Sequence, residues 1–299
     1  MRINQLEAIT ALAETGSIRG AARALGLSQS AVTRALKELE RDTGAHLLDR
    51  QTEGTKFTRA GTVLLDHASL ALAAIRRAKE EVRRISGQDT AHVRIAVTPA
   101  VANTKLARLV TAFQSDFPDG RLQIQTGVLS TVVPALRTGD LDFAMVLAKP
   151  EEIPPDLSFE QLGEMRMIPI TRLTTDTCVK MSWEALAQKR WVANMMPGSA
   201  DHIVFEWLNS RGIQFTHPLI ECSSPYLKMI LNVSTDVVAL SPAPLYHSQL
   251  HALGLVAIAV PDLPPPIALG ILLRDQMPQS EAAQMLLALA RRLGGGMAL

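Results

Sequence analysis

The segment from Ile18 to Glu40 has the pattern of two helices joined by a tight turn, and it restricts the possible folds more than any other part of the chain. The first helix has an apolar stripe at spacings of three and four residues, formed by Ile18, Ala21, Ala22 and Leu25. Gly26 follows, and glycine commonly ends a helix in the left-handed conformation. Ser28 can cap a second helix. That helix has its own apolar stripe, Val32, Leu36 and Leu39, so the segment predicts a helix-turn-helix.

The outer face of the second helix carries the donor-rich side chains Gln29, Ser30, Thr33, Arg34 and Lys37. Such side chains can pair with base edges and phosphates, and the small Ala31 and Ala35 keep the helix narrow enough for a major groove. We therefore predict a DNA recognition helix. An ordinary surface helix can show the same residue types, so a solvated helix pair is the alternative that this face alone leaves open.

The flanking residues predict a winged form of this motif. A helix with the apolar face Leu6, Ile9, Leu12 and Ala13 precedes it and is closed by Gly16. After it, Leu47 and Leu48 lead into a polar turn at Glu53-Gly54, and Phe57 returns to the core. Thr58 can cap a further helix that begins near Ala60. Three helices and a two-stranded wing predict a winged helix-turn-helix over residues 1–60.

Taken together, these residues resemble the N-terminal region of LysR-type transcriptional regulators. The matching positions are Gly16-Ser17, Ala21-Ala22, Leu25, Leu27 to Thr33, Leu36, Leu39-Glu40, Gly44, Leu47-Leu48, Arg50, Thr58 and Ala60-Gly61. In that family the residue matching Gln29 reads a base, and the one matching Arg50 holds the DNA backbone. The resemblance also implies base or phosphate contacts at Ser30, Thr33 and Arg34. With Ser28, Lys37 and Lys56 added, the residues that we predict to contact DNA are Ser28, Gln29, Ser30, Thr33, Arg34, Lys37, Arg50 and Lys56. Two positions depart from the family pattern, because Ser30 replaces a common proline and Glu53 stands where the wing often has a basic residue.

Residues 61–87 predict a long linker helix with a heptad pattern. Its apolar seam is Leu64, Ala68, Ala71, Ile75, Ala78, Val82 and Ile85, and Ser86-Gly87 breaks the helix. One helix cannot bury such a seam on itself, whereas the same helix of a second chain can cover it. We predict a homodimer through this helix, which also suits the reading of two DNA half-sites. Packing of the seam on its own domain is the alternative, and the family resemblance implies a homotetramer.

From Val93 onward, short β runs alternate with helices. Val93–Val97, Leu122–Thr126 and Leu141–Leu147 are the first strands, and this alternation predicts a parallel sheet with helices on both faces. The pattern repeats after about residue 163, and a last strand, Ile267–Leu273, follows Pro264–Pro266. We expect a two-lobed α/β domain, with residues 88–162 and 267–299 in one lobe and 163–266 in the other. The LysR resemblance implies a domain similar to periplasmic solute-binding proteins.

Hydroxyl residues that precede the predicted helices are candidates for an anion site, because helix N-termini offer free N–H groups and a favourable dipole. The resemblance implies that an effector binds between the lobes. The candidate effector residues are Thr98, Pro99, Val101, Ser130, Thr131, Met196, Ser199, Ser223, Ser224 and Tyr226. No lysine or arginine is adjacent to the hydroxyls, so we expect a small organic acid with one negative group, with an aromatic carboxylate or sulfonate favoured. The alternative is that these hydroxyls are helix caps only.

The charge is unevenly distributed along the chain. The net charge is +1, but residues 1–87 hold 14 lysine and arginine against 10 aspartate and glutamate, so the remainder is net negative. A basic N-terminal region on an acidic body is consistent with a reader of double-stranded promoter DNA.

Other patterns argue against further chemistry. Cys178 and Cys222 form no CxxC pair, the histidines are scattered, and no nucleophile or phosphate-loop motif occurs. We expect no catalytic residue, no metal site and no cofactor. The N-terminus is unlike a signal peptide and no apolar run is long enough for a bilayer, which predicts a cytoplasmic protein that makes no use of a membrane. The competing hypothesis is an α/β solute-binding or enzymatic domain that uses the winged helix for assembly only.

Overall fold

The computed structural model describes residues 1–51, 54–87, 90–174, 179–274 and 278–294. The chain divides into two compact units. The first comprises residues 1–89 with 135–140, and the second comprises residues 90–134 with 141–299. Glu53 and Cys178, both considered above, lie outside the described residues.

The first unit contains the predicted winged helix-turn-helix. Its elements are α1 (Ile3–Thr15), α2 (Ile18–Leu25), α3 (Gln29–Thr43), β1 (Leu48–Gln51), β2 (Gly54–Phe57) and α4 (Arg59–Ile85). Gly26 ends α2 with φ 65°, a left-handed conformation that favours glycine. The strands β1 and β2 pair antiparallel, with Leu48 opposite Phe57. One detail of the prediction is wrong, because Ala13 is exposed and Ala8 and Ala11 are buried in α1 instead.

Helix α4 is the predicted linker helix, and its 27 residues make it about 40 Å long. It begins at Arg59, so it is continuous across the predicted domain boundary between residues 60 and 61. The apolar seam changes character along the helix, since Ala68 is buried within the unit while Val82 is 63% and Ile85 74% exposed.

The second unit contains a five-stranded mixed sheet. Its spatial order is β4 (Arg121–Thr126), β3 (His92–Val97), β5 (Phe143–Ala148), β12 (Ile267–Leu273) and β6 (Ser158–Met165). The prediction of a parallel sheet is correct for β3 with β4 and β5. It is wrong for β12, which is antiparallel to both β5 and β6. The chain leaves this sheet after β6 at Met165 and returns to it about 100 residues later with β12, which runs in the opposite direction to its two neighbours.

A smaller sheet lies in the middle of the sequence. There β7 (Met167–Arg172) pairs antiparallel with β10 (Ala239–Pro242) on one side and with β11 (Leu255–Ala257) on the other. Two short strands, β8 (Val192–Ala193) and β9 (Ile220–Glu221), form a parallel pair. The predicted parallel arrangement is therefore wrong for β7, and the strands β6 and β11 were not predicted.

Helices surround these sheets and complete the hydrophobic core. They are α5 (Pro99–Thr104), α6 (Leu106–Asp116), α7 (Leu129–Arg137), α8 (Trp183–Ala187), α9 (Ala200–Ser210), α10 (Pro225–Ser234), α11 (Ala243–Leu245) and α12 (Glu281–Gly294). Short 3-10 helices span Pro150–Glu152 and His251–Leu253, and a π-helix spans Tyr246–Leu250. The chain passes between the two sheets at Arg166 and returns through residues 264–266, near the predicted lobe boundaries, which stay predictions. None of the described helices is both long and apolar enough to cross a membrane.

Candidate DNA-binding surface and ligand cavity

Helix α3 presents its polar face to solvent, as the sequence predicts. Ser28 caps it, accepting the Ala31 N–H at 3.2 Å through its hydroxyl oxygen. Gln29, Ser30, Arg34 and Lys37 are exposed and Thr33 is half-buried. Within the described part of the chain, neither Arg34 nor Lys37 forms an ion pair, so both cations are available to phosphates.

The carboxylate of Glu40 connects α3 to the wing. Its Oε1 accepts the backbone N–H groups of Leu47 at 2.9 Å and Leu48 at 3.3 Å. A carboxylate that accepts two backbone hydrogen bonds holds the start of β1 against the end of the recognition helix. Glu40 is one of the residues that match the family pattern, but its role could not be predicted from the sequence.

Thr58 closes the wing on its other side. Its backbone N–H donates to the Leu47 carbonyl at 3.0 Å, and its hydroxyl donates to the His46 carbonyl at 2.8 Å. The same hydroxyl oxygen accepts the Gly61 N–H at 3.0 Å and so caps α4, as predicted. One residue therefore fixes both the return of the wing and the start of the linker helix.

The predicted wing contacts are only partly described. Lys56 is exposed on β2, opposite Asp49 on β1. Arg50 lies in β1 opposite Thr55, but its side chain lies outside the described part of the structure. Because Glu53 is also outside it, contact between the wing and DNA stays a prediction.

The second unit encloses a cavity of about 310 Å³ between the five-stranded sheet and the smaller sheet. Thr98, Pro99 and Leu147 contribute to its wall on the side of the larger sheet. The start of α9, one face of α10, and β10 contribute the opposite wall. A volume of this size suits a small organic ligand.

Half of the predicted effector residues line this cavity, namely Thr98, Pro99, Ser199, Ser223 and Tyr226. The other five are not among its lining residues.

The five predicted effector residues that do not line the cavity lie in the core or at helix starts. Val101 is fully buried in the core on the inner side of α5. Ser130 is exposed, and the Thr131 hydroxyl accepts the Val128 N–H at 3.1 Å at the start of α7. The Ser224 hydroxyl caps α10 by accepting the Leu227 N–H at 3.3 Å. Met196 belongs to the turn before α9, where its carbonyl accepts the Ser199 N–H.

Thr98 and Ser199 both line the cavity, but only the Ser199 hydroxyl has hydrogen-bond partners among the described residues. The Ser199 hydroxyl already makes two hydrogen bonds within the protein. It donates to the Asn194 carbonyl at 2.5 Å and accepts the His202 N–H at 3.1 Å. Thr98 is only 6% exposed, and its Oγ1 has no hydrogen-bond partner among the described residues. Although Thr98 precedes α5, its hydroxyl does not cap that helix. A buried hydroxyl without a partner at a cavity wall is available to a ligand.

The expectation that no lysine or arginine lies beside these hydroxyls is wrong. Lys228 lines the same cavity, and its ammonium group forms an ion pair with the buried carboxylate of Asp201. That carboxylate also accepts the Asn194 N–H at 2.7 Å. Asn232 lies one turn after Lys228 on the same face of α10. These residues were not predicted from the sequence, although helical spacing within α10 places Lys228 and Asn232 together.

A second cavity, of about 600 Å³, contains none of the predicted effector residues. The cation among its described lining residues, Lys149, is already paired, since its ammonium lies 2.8 Å from a Glu206 carboxylate oxygen and 3.0 Å from one of Glu152. The hydrogen bond from Lys149 lowers the pKa of Glu206, and the same bond raises the pKa of Lys149. We therefore take the smaller cavity as the candidate ligand site.

A winged helix with an exposed recognition helix, followed by a two-lobed α/β unit with a ligand cavity, defines the class of DNA-binding proteins that carry a ligand-binding domain. Residues 3–62 match the family described as "Bacterial regulatory helix-turn-helix protein, lysR family", and residues 86–294 match the "LysR substrate binding domain". The chain belongs to the LysR family of DNA-binding transcriptional regulators. The predicted family, fold class and lack of enzymatic function are thereby confirmed.

Curated relatives match over different lengths. The "Uncharacterized HTH-type transcriptional regulator YdcI" of Escherichia coli (strain K12) is 26% identical over 299 residues, covering 98% of this chain and 95% of that protein. The regulator GalR of Pseudomonas putida is 25% identical, covering 97% of this chain and 73% of its own length. The regulator PcaQ of Agrobacterium fabrum is 31% identical, but the match covers 54% of this chain and 52% of PcaQ.

Solved structures share the fold along almost the whole chain. CbnR, a LysR family transcriptional regulator, superimposes with a TM-score of 0.65 at 18% identity, covering 98% of this chain and 99% of CbnR. Full-length CbnR in complex with its target DNA gives a TM-score of 0.64 at 18% identity, covering 98% and 100%. ArgP from Mycobacterium tuberculosis gives 0.66 at 21% identity, covering 98% and 97%.

Proposed function

We propose that this regulator controls transcription from a promoter in response to a small organic anion held in the 310 Å³ cavity. The observation that carries the proposal is the buried Thr98 hydroxyl, which has no partner among the described residues. A buried polar group in this state is satisfied when a ligand supplies the missing hydrogen bond. The apolar lining, including Met167, Ile170 and Leu240, favours a hydrocarbon body, so an aromatic carboxylate or sulfonate suits the cavity.

The proposed ligand carries one negative group. Lys228 brings a cation to the cavity, but Asp201 already neutralises it, so a doubly charged ligand would meet no unpaired positive charge among the described lining residues. Donors such as Thr98 and Lys228 can nevertheless share hydrogen bonds with one carboxylate or sulfonate.

We infer that the exposed face of α3 reads double-stranded promoter DNA. In this arrangement Gln29 and Arg34 contact bases, and Lys37, Lys56 and Arg50 contact phosphates. The complex of CbnR with its target DNA supports this use of the winged helix, because that protein shares the fold.

The functional assembly that we propose is a homodimer through the seam of α4, with two such dimers in a cytoplasmic homotetramer. The support is the exposure of Val82 and Ile85, because apolar seam residues on a long helix are stable in water when a second helix covers them. Ligand binding would favour one arrangement of the two lobes, and the difference in affinity between arrangements would change the spacing of the recognition helices.

A gel-shift assay against the DNA upstream of the protein's own gene tests the proposed function. We expect a specific shift that changes in mobility or affinity when a monocarboxylic acid from a chemical panel is added. Lack of binding to any upstream DNA, with folded protein, would favour a winged helix used for assembly only. A shift that responds to no acid would contradict the proposed effector class.

A further inference from the structure

Asn232 lies in the cavity wall and carries a hydrogen-bond acceptor that has no partner among the described residues. The residue is 1% exposed. Its Nδ2 donates to the Val237 carbonyl at 2.8 Å, and this bond fixes the amide orientation, because the flipped amide would place two acceptors together. The Oδ1 atom is buried and has no partner among the described residues. A ligand that satisfies this atom must therefore carry a hydrogen-bond donor.

Lys228 supplies the neighbouring cation. It precedes Asn232 by four residues on α10, so the two side chains lie next to each other on one face of the helix. One N–H of the ammonium group is used by Asp201. Asp201 is held independently of the lysine, by the Asn194 N–H at 2.7 Å and by the positive end of α9, in whose first turn it lies. The other ammonium N–H groups can therefore donate to a ligand carboxylate.

The charge balance of the cavity decides what kind of donor the ligand carries. Among its described lining residues, Asp201 and Lys228 are the only charged ones, and they neutralise each other. A ligand ammonium group would find no unpaired carboxylate there, and it would lie beside the Lys228 ammonium. A hydroxyl group can donate to the Asn232 Oδ1 without adding charge.

We propose that the ligand of this cavity is a hydroxycarboxylic acid whose carboxylate binds the Lys228 ammonium and whose hydroxyl donates to the Asn232 Oδ1. The two side chains are one turn apart on α10, so the hydroxyl and the carboxylate should be close to each other in the ligand. The acids tested below therefore carry the hydroxyl on the carbon next to the carboxylate or one carbon further. The Thr98 hydroxyl contributes from the facing wall. This inference rests on the proposed effector function and names the chemical class of the effector.

Matched sets of acids test the inference on the full chain by isothermal titration calorimetry. Each set keeps one carbon skeleton with a single carboxylate and varies one substituent: propionate, lactate and alanine; 3-phenylpropionate, 3-phenyllactate and phenylalanine; butyrate, 3-hydroxybutyrate and 3-aminobutyrate. In at least one set we expect the hydroxy acid to bind at least about ten-fold more tightly than the unsubstituted acid and the amino acid, since one buried hydrogen bond distinguishes them.

Two variants locate the effect. Asn232→Leu removes the acceptor, so the preference for the hydroxy acid should disappear. Thr171→Val is the matched control, because the Thr171 hydroxyl donates to the same Val237 carbonyl at 3.1 Å but Thr171 does not line the cavity. The control should keep the preference, and circular dichroism shows whether each variant folds. The comparison of acids on the unmodified protein stands by itself if Asn232→Leu does not fold.

The possible results separate this inference from the proposed function. If unsubstituted acids bind as tightly as hydroxy acids, the hydroxyl assignment is wrong and the proposed organic-acid effector remains. If amino acids bind as tightly as hydroxy acids, the charge argument is wrong. A preference that survives Asn232→Leu would exclude Asn232 as its source. If no acid of any set binds, both the inference and the proposed effector class are wrong.

Discussion

Gly61 in α4 lies against the backbone of Leu47, so close that a Cβ atom at Gly61 would be 2.0 Å from the Leu47 carbonyl oxygen. A backbone carbonyl cannot move aside as a flexible side chain can, and this one also accepts the Thr58 N–H. We expect Gly61→Ala to lower the free energy of unfolding by roughly 1–3 kcal/mol, as overpacking does. Thermal melts followed by circular dichroism measure the change. Thr62→Ala, an exposed change in the same turn, should shift stability by less than about 0.5 kcal/mol.

Base-reading and phosphate-binding residues of the winged helix should respond differently to substitution. Gln29→Ala should reduce discrimination between target and random DNA, because base contacts are worth about 1–3 kcal/mol each. Lys37→Ala and Arg50→Ala should weaken both complexes to a similar degree and lower the salt dependence of binding. Fluorescence anisotropy with both DNAs over a salt series measures these effects. If Gln29→Ala lowered both affinities equally, Gln29 would not be a base-reading residue.

The seam of α4 predicts where the dimer is sensitive to charge. Ala78→Glu with Val82→Glu places like charges on both copies of the seam, so the dimer should dissociate and DNA affinity should fall with it. Ala74→Glu is the matched control, because Ala74 is exposed like Ala78 but lies off the seam. Analytical ultracentrifugation measures the oligomeric state. An unchanged oligomer in the double variant would mean that α4 packs in another way.

The two hydroxyls at the cavity should separate stability from ligand binding. Ser199→Ala should destabilise the protein by about 1 kcal/mol, because it removes the cap of α9. Thr98→Val keeps the side-chain shape and removes a hydroxyl that makes no cap bond, so stability should be retained while affinity for the bound acid falls. Thermal melts and calorimetry with the same acid measure the two properties. Thr98→Val with unchanged affinity would remove Thr98 from the ligand site.

The ion pair of Lys149 with Glu206 should make a small and pH-dependent contribution to stability. The pKa of Glu206 is lowered in the folded state, so this contribution is present at neutral pH and is lost as the pH falls through the lowered pKa, below the ordinary 4.5. The pKa of Lys149 is raised, so the contribution is also lost as the pH rises through a value above 10.5.

A double-mutant cycle of Lys149→Met and Glu206→Gln measures this contribution. We expect about 0.2–1 kcal/mol at pH 7, because both side chains are partly exposed to solvent. The coupling energy should decrease towards zero as the pH falls through the lowered pKa of Glu206. The cycle also separates Glu206 from Glu152, the second partner of Lys149. A coupling energy that does not change with pH would mean that the interaction is not ionic.

Local signals made the winged helix predictable. Gly26, Ser28 and Thr58 end or begin helices through their own backbone and hydroxyl chemistry, so the sequence alone places those boundaries. The direction of β12 could not be predicted, since it depends on where the chain re-enters the sheet. The strand Ser158–Met165 was missed because half of its residues are polar and only Met165 is buried.

The ligand cavity was only half predictable for a similar reason. Thr98 and Ser199 both precede helices, and no sequence pattern tells which hydroxyl is used by the fold and which is left for a ligand. The ion pair of Lys228 with Asp201 joins residues 27 positions apart. Only the folded structure shows that these charges meet, and that they neutralise each other.

The hydrogen bonds from the Leu47 and Leu48 N–H groups to the Glu40 carboxylate affect how new DNA specificities can be engineered. A graft of residues 29–37 from another regulator would exchange the exposed DNA-reading residues of α3 and leave these two hydrogen bonds in place. A graft continued to the end of α3 would replace Glu40 as well and could release the wing. A graft meant to change the DNA sequence that this protein recognises should therefore end at residue 37.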